Sequence, residues 1–440
     1  MMIFHYELVY LKALMQSTRL YIFLLFLLCL FKCTLVISQI SIPTETIRMR
    51  QLTVDDGLSQ GFVYDGLQDK DGFIWLATMD GLNRYDGYNF TVYKHDPENP
   101  YSIPENSINC IAEDNHGNLW IGTMSKGLYI MDKRTERFYP VPLASTFNKN
   151  NDYSVVKVSW QQDLLYIRTA AGMIIVQSSL TTTGNYSSEE LKKRVLVLQS
   201  IPLRGEDDRT LYPSRNYFIN NDYGTLEIFT AEKNHVNWTK KTLTAKDLGL
   251  GSIDPNAMFI LLDSTNSLLI FNQGNIYLYS FEKKLNTLLA SCGENFVYGL
   301  KLIENKAYSC GYEKGMGNIL YEFDLSSKTL KKYHPENNAR LLVPMFIDKT
   351  GVLWIRTDAV GVCLLNRKLQ AFKTAPYIGR NVMGTKRAIV NSFTEGDSNG
   401  LLEFSPLTRQ FKKLVPNTVF ELKKIIAYSI LWITGAGSGK

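Results

Sequence analysis

Cysteine is scarce: six residues are spread over a chain of 440. Two of them, Cys29 and Cys33, fall in an apolar leader. The other four, Cys110, Cys292, Cys310 and Cys363, allow three disulfide connectivities. Cys110, Cys310 and Cys363 stand in strand-like runs, where a free thiol behaves as a small buried hydrophobe. No Cys-x-x-Cys and no His/Cys pair has metal-ligand spacing, so no metal is expected. The five histidines (His5, His95, His116, His235 and His334) are scattered among turns and loops, with no acid or nucleophile at a recognisable distance. No catalytic residue and no cofactor is therefore assigned. Charge of one sign is also modest. The net +6 falls to about +4 without the leader, which carries Lys12, Arg19 and Lys32 against Glu7. No basic block interleaved with aromatics is present, which argues against nucleic acid as a partner. Proline numbers only 14 against 45% hydrophobic and 12% aromatic residues, an ordinary folded composition.

Long apolar runs are missing too. The longest is Tyr21–Phe31, preceded by Arg19 and followed by Val36-Ile37-Ser38. It reads as the core of a secretory signal over residues 1–38, cleaved after Ser38. An uncleaved anchor is the alternative, because Lys32 interrupts the run and Leu30-Phe31-Lys32-Cys33 is a poor lipobox. Either way the membrane is touched only through the leader, and the bulk of the chain is exported.

What the chain has in abundance is repetition. Asp114-Asn-His-Gly-Asn-Leu-Trp-Ile-Gly-Thr-Met-Ser-Lys-Gly-Leu128 is matched by Asp69-Lys-Asp-Gly-Phe-Ile-Trp-Leu-Ala-Thr-Met-Asp-Gly-Leu82. A third copy is Asp348-Lys-Thr-Gly-Val-Leu-Trp-Ile-Arg-Thr-Asp-Ala-Val-Gly361. Each reads as a polar turn closed by Gly72, Gly117 or Gly351, then a short apolar strand, then a second turn. Trp75 and Trp120 lie one propeller-blade period apart. Fainter copies put Tyr166, Leu269 and Tyr308 in the Trp position, and Tyr223–Thr230 marks the weakest unit. Seven units result. A four-stranded unit this short cannot bury both faces of its own sheet, whereas radial stacking buries them against neighbours.

The expected fold is therefore all-β, a seven-bladed β-propeller over residues 39–377. Thr46–Leu52 is a candidate edge strand to complete the last blade. From Arg387 the repeat restarts, and with Trp432 in the Trp position, residues 378–440 read as the truncated start of a second propeller. Within blade three, Ser178–Lys193 reads as a solvated loop or short helix.

The fixed place of Trp75, Trp120 and Trp354 in an apolar strand makes them inter-blade core instead of sugar-stacking platforms. Trp238 stands apart, in a polar Asn237-Trp238-Thr239 context. Asp69-x-Asp71 offers two carboxylates, far short of the 6–8 oxygens that calcium takes, and the other copies do not keep the pair. The tail Gly435–Lys440 misses phosphate-loop spacing by one residue and lacks the following Ser or Thr.

The pattern Asp-x-x-Gly-x-(Leu/Ile)-Trp-(Ile/Leu)-(Gly/Ala)-Thr-x-x-x-Gly-Leu resembles the two-component regulator propeller repeat. Arg50-Gln-Leu-Thr-Val-Asp-Asp-Gly-Leu-Ser59 and His95–Ile108 also resemble that family's sensory region. The resemblance implies the periplasmic, signal-transducing part of a hybrid two-component sensor of Bacteroidetes type, which detects glycan fragments. It implies an oligosaccharide ligand, and a homodimer in full-length relatives. Kinase activity would belong to C-terminal domains that these residues do not contain.

Recognition falls to loops, since blade connections and second turns gather on one face around the channel. Here they supply Met79, Asp80, Lys94, His95, Tyr101, Met124 and Lys126 as the candidate ligand-binding set. A protein-interaction scaffold and an exported polysaccharide-active enzyme are the competing readings, because the fold alone decides neither.

Overall fold

The computed structural model describes residues 44–366, except 144–152, 162, 182–185, 204–216, 223, 233–236, 255–256, 263–264, 293–295 and 338. It also describes 388–394, 397–405 and 410–413. Seven antiparallel sheets follow one another along residues 63–93, 108–140, 155–202, 217–243, 258–291, 296–335 and 341–366. They are the seven blades of a β-propeller. In each, the chain runs outward strand by strand from an inner strand.

The second strand of each blade explains the repeat. Ile74–Thr78 and Leu119–Thr123 are buried along their whole length, because both faces of the strand meet a neighbouring blade. That is why they read as continuous apolar runs and not as alternation. Trp75 packs with Ile108 and Ile121 of blade two. Trp120 packs with Val155 and Leu165 of blade three, and Trp354 with Leu76 and Tyr85 of blade one. Tyr166, Leu269 and Tyr308 make the corresponding contacts to Phe218, Leu300 and Leu353. In blade four Leu226 and Ile228 face Phe259 in the same way. The Trp position is inter-blade core throughout.

The aspartate that opens each repeat does more than begin a turn. Asp114 Oδ1 accepts from the backbone N–H of His116 and Asn118, and its Oδ2 accepts from Trp120 Nε1 at 3.0 Å. Asp69 takes Phe73 N–H and Trp75 Nε1 at 2.8 Å. Asp348 takes Thr350, Val352 and Trp354 Nε1 at 2.9 Å. Burial pushes the Asp348 carboxyl up, but the hydrogen bonds from Thr350, Trp354 and Val352 outweigh it and hold the group below the usual carboxylate range. Asp69 and Asp114 are both about 1% exposed, so a buried carboxylate and a buried indole satisfy one another.

The ring is closed by the N-terminal segment. Arg50–Leu52 pairs antiparallel with Val362–Asn366, Leu52 opposite Val362, and forms the outer strand of blade seven. Thr44–Ile47 goes further than expected: it pairs parallel with Thr329–Pro335 as a fifth strand on blade six. A nine-residue stretch thus holds two adjacent blades. The seam is tight enough to require glycine. Gly361 has φ +102° and a Cβ there would run into the Leu52 carbonyl; a Cβ on Gly61 would run into that of Ala359.

Two sequence readings are modified. The blade-three insertion contains a helix, Ser188–Arg194, capped by Ser187, yet it is docked, not solvated. Leu180, Tyr186 and Leu191 are buried, and the Tyr186 hydroxyl donates to Asn118 Oδ1 in the blade-two turn. Trp238 is not a polar-surface residue either. It opens the strand Trp238–Leu243 and sets its ring 5.4 Å from Phe218 and 6.2 Å from Tyr166. Its polar neighbours simply project to the other side of the strand. Cys110, Cys292, Cys310 and Cys363 are free and buried, and burial pushes the Cys292 thiol up to about 12.

The chain divides after Leu365 into a second compact unit. Its described part is an antiparallel meander of Ala388–Thr394, Asp397–Ser405 and Gln410–Lys413, with Ala388 opposite Phe404 and Leu402 opposite Lys413. The leader 1–38, Trp432 and Gly435–Lys440 lie outside the described residues. Among the described residues no helix is long and apolar enough to cross a membrane.

Ring closure gives a direct expectation. Leu52 is fully buried on the closing strand, whereas Val54, two residues on, is exposed. Leu52→Ala should cost about 2–5 kcal/mol, and Val54→Ala within about 0.5 kcal/mol of nothing. Urea melts check this; equal small losses would mean that the segment does not close the ring.

Candidate functional site

The turns between second and third strands, and the loops between blades, lie at the same strand ends. In blades one and two they form a laced surface. Lys94 Nζ sits 2.6 Å from Asp80 Oδ2, and Asn106 Nδ2 donates to Asp80 Oδ1 at 3.2 Å. Gly81 N–H donates to Asn106 O, and His95 N–H to Asn106 Oδ1. His95 Nδ1 lies 2.9 Å from Ile103 O. On the blade-two side Glu105 accepts from the N–H groups of Ser125 and Lys126 and from Ser125 Oγ, while Met124 N–H donates to Ser107 O. The inter-blade loop is pinned to both turns.

Of the seven residues expected to form this surface, six come together there: Met79, Asp80, Lys94, His95, Met124 and Lys126. Met79 and Met124 are 48% and 43% exposed. Tyr101 is set apart. It lies against the outer strand of blade two, under the Arg137 guanidinium at 4.5 Å and 5.8 Å from the Tyr139 ring.

The opposite strand ends carry a second network, absent from the sequence reading. Lys133 Nζ lies 3.1 Å from Asp69 Oδ2, 2.8 Å from Asp71 Oδ2 and 2.9 Å from Glu113 Oε1. Burial works against its charge, but the hydrogen bonds to Asp71, Glu113 and Asp69 outweigh it and hold the ammonium above its usual range. Lys349 Nζ donates to Asp69 O and Lys70 O, and Lys70 Nζ in turn donates to Asn115 O. The residue after each clasp aspartate thus reaches to the next blade's turn, and the network ties blades seven, one and two.

A third group lines the axis. The inner strands of blades one, two, three, six and seven break register after their first residues, between Val63 and Asp65, Ile108 and Cys110, Val155 and Lys157, Tyr298 and Leu300, and Leu341 and Val343. Bulges of this kind re-aim side chains. Asp65 and Lys157 follow their bulges directly and form an ion pair of 3.0 Å, so Asp65 reaches past blade two, whose Ile111 N–H it also accepts at 3.2 Å. Lys301 stands next to Leu300 at the same level in blade six. Burial pushes its amine down to about 8, helped by the Lys157 charge and opposed by Asp65. Arg356 Nη1 donates to Tyr64 O, the bulge carbonyl of blade one. No periodic motif marks these charges, and only their place on inner strands could have shown them. Among the described residues no group of His, Cys, Asp and Glu is arranged to hold a metal ion.

Residues 102–125, the loop and clasp strand of blade two, match the family model described as "Two component regulator propeller". The chain carries the two-component regulator propeller repeat. A stretch of 54 residues is 48% identical to histidine kinase P4 of Formosa agariphila, covering 12% of this chain and 4% of that protein. Among solved structures, the extracellular domain of the hybrid two component system BT3049 of B. thetaiotaomicron aligns over 85% of this chain and 50% of its own, at 18% identity and TM-score 0.52. That of BT4673 aligns over 85% and 55%, at 16% identity and TM-score 0.54. This chain thus spans about half the length of those domains, and at such identities the likeness speaks for the propeller fold alone.

The Lys301 environment in this repeat protein has a measurable consequence. Its folded-state value of about 8 lies below the ordinary 10.5, so the unfolded chain holds the proton more tightly. The cost of keeping Lys301 charged is fully present below about pH 8 and fades as pH rises towards about 10.5. Lys301→Met should therefore raise stability at pH 7, with the gain shrinking by pH 10. Denaturant melts of both forms at the two pH values check this, and a gain that grew with pH would contradict it.

Proposed function

We propose that this chain is the extracytoplasmic, ligand-sensing propeller of a two-component sensor and that it recognises glycan fragments. The observation that carries the reading is the two-component regulator propeller repeat itself, matched at residues 102–125. The fold shared with extracellular domains of hybrid two component systems supports it. In this reading residues 1–38 export the chain to the periplasm, and residues 378–440 begin a second propeller. Transmembrane and kinase parts would follow in longer relatives, whose homodimers would carry the signal.

The ring is suited to binding and not to turnover. The carboxylates on the loop face are already engaged, Asp80 by Lys94 and Asn106, and Glu105 by Ser125 and Lys126. That arrangement offers fixed polar groups beside exposed Met79 and Met124, a mixture that fits the polar edges and apolar faces of sugar rings.

A protein partner is the second reading, and one observation favours it. Met79, Met124, Met316 and Val360 are each more than 40% exposed, and all four sit at the turn between second and third strands of their blades. Exposed methionines at repeated positions are adaptable contact points.

Calorimetric titration of the purified chain with an oligosaccharide panel separates the readings. The sensor reading predicts saturable binding without hydrolysis or oxidation, weakened about tenfold, or about 1.4 kcal/mol, by Asp80→Ala. Turnover of any polysaccharide that is lost on mutating an acidic loop residue would overturn it in favour of an enzyme.

A further inference from the structure

Three charged side chains meet in the central channel, and their charges do not balance. Asp65, Lys157 and Lys301 come from the inner strands of blades one, three and six, all at the level of the inner-strand bulges. Asp65 is committed: its Oδ2 accepts from Lys157 Nζ at 3.0 Å and from Ile111 N–H at 3.2 Å. Lys301, by contrast, has no carboxylate partner among the described residues. The group as a whole is left with one excess positive charge.

An enclosed cation without a counter-charge is costly, because the ring replaces its hydration with a medium of lower polarity. A core position with no other role would hold an apolar residue, as Leu300 beside it does. The amine is also not sealed in, since Lys301 keeps partial solvent access along the channel. A soluble counter-ion can therefore reach it.

We infer that the channel is an anion subsite, in which Lys301, with Lys157 beside it, binds a single carboxylate, sulfate or phosphate group of a ligand entering along the propeller axis. This deepens the sensing reading and rests on it for the identity of the ligand. An acidic sugar would present its ring to the loop face and its charged group to the channel. Asp65 sets the selectivity: by neutralising Lys157 it leaves room for one negative charge and disfavours two. The recognition is electrostatic and has no covalent step.

Mass-mapped acetylation of the full chain tests this, using the reactivity of the Lys301 amine as the readout. Sodium glucuronate, glucose and inorganic phosphate are the probes, all at one ionic strength. Lys283, exposed on a turn of blade five, is the internal control. The inference predicts that glucuronate slows acetylation of Lys301 at least about fivefold, that glucose does not, and that Lys283 is unaffected by either. Asp65→Asn, which removes the competing negative charge, should lower the glucuronate concentration for half-protection by about tenfold, equivalent to about 1.4 kcal/mol.

Protection by phosphate but not by glucuronate would keep the anion site and assign it to a free inorganic ion. Equal slowing of Lys301 and Lys283 would reduce the effect to general screening and overturn the inference. No protection in either the wild-type chain or Asp65→Asn would overturn it as well. If a neutral oligosaccharide binds by calorimetry while Lys301 reactivity is unchanged, the channel site falls and the sensing reading stands. If glucuronate protects Lys301 but no oligosaccharide binds, the site stands and the glycan reading falls.

Discussion

A buried carboxylate that accepts a hydrogen bond from a buried indole six residues later is the interaction on which this propeller depends. Asp69–Trp75, Asp114–Trp120 and Asp348–Trp354 repeat it at 2.8, 3.0 and 2.9 Å. Neither partner could be buried alone. An ionised carboxylate out of water demands donors, and an indole N–H demands an acceptor. The turn supplies backbone N–H groups to one carboxylate oxygen and the Trp supplies its N–H to the other. A hydrogen bond to a charged group contributes about 1.5–3 kcal/mol, and here it also fixes the Trp ring. That ring then fills the space between its own blade and the next.

The blades are joined at other depths by different means. At the clasp end Lys349, Lys70 and Lys133 carry positive charge from one turn to carbonyls and carboxylates of another. At the periphery the N-terminal segment adds outer strands to blades six and seven. Near the axis Arg356 reaches the bulge carbonyl of blade one. A ring held at its rim, base and centre presents loops from a stiff support, which is what a binding surface built from loops needs. The polar groups of the 94–107 loop are spent on holding it to two turns. Exposed methionines and the charged axis remain for a ligand.

Much of this was legible in the chain, because the repeat writes its physics at a fixed period. Trp75, Trp120 and Trp354 announce the inter-blade core, and Thr46–Leu52 alternates enough to show a closing strand. Tyr166, Leu269 and Tyr308 are readable as Trp substitutes since the same space must be filled. The clasp was half legible. Asp69, Asp114 and Asp348 are visible as turn residues, but their bond to the indole depends on how turn and strand fold back on each other. The Tyr186–Asn118 contact, 68 residues apart, leaves no local trace. Polar neighbours disguised Trp238, and Tyr101 looked like part of the loop face although its ring belongs to the outer strand. Asp65, Lys157 and Lys301 obey no period, for they converge only when the ring closes.

The central claim is that the carboxylate and the indole stabilise the blade as a pair. A double-mutant cycle in urea with Asp114→Ala, Trp120→Phe and the double variant measures that pairing, since Phe keeps the packing and loses only the donor and part of the ring. The account predicts a coupling of about 1–3 kcal/mol, because once either partner is gone the other's loss matters less. Effects that add to within about 0.5 kcal/mol would show that turn and indole act independently, and would contradict it.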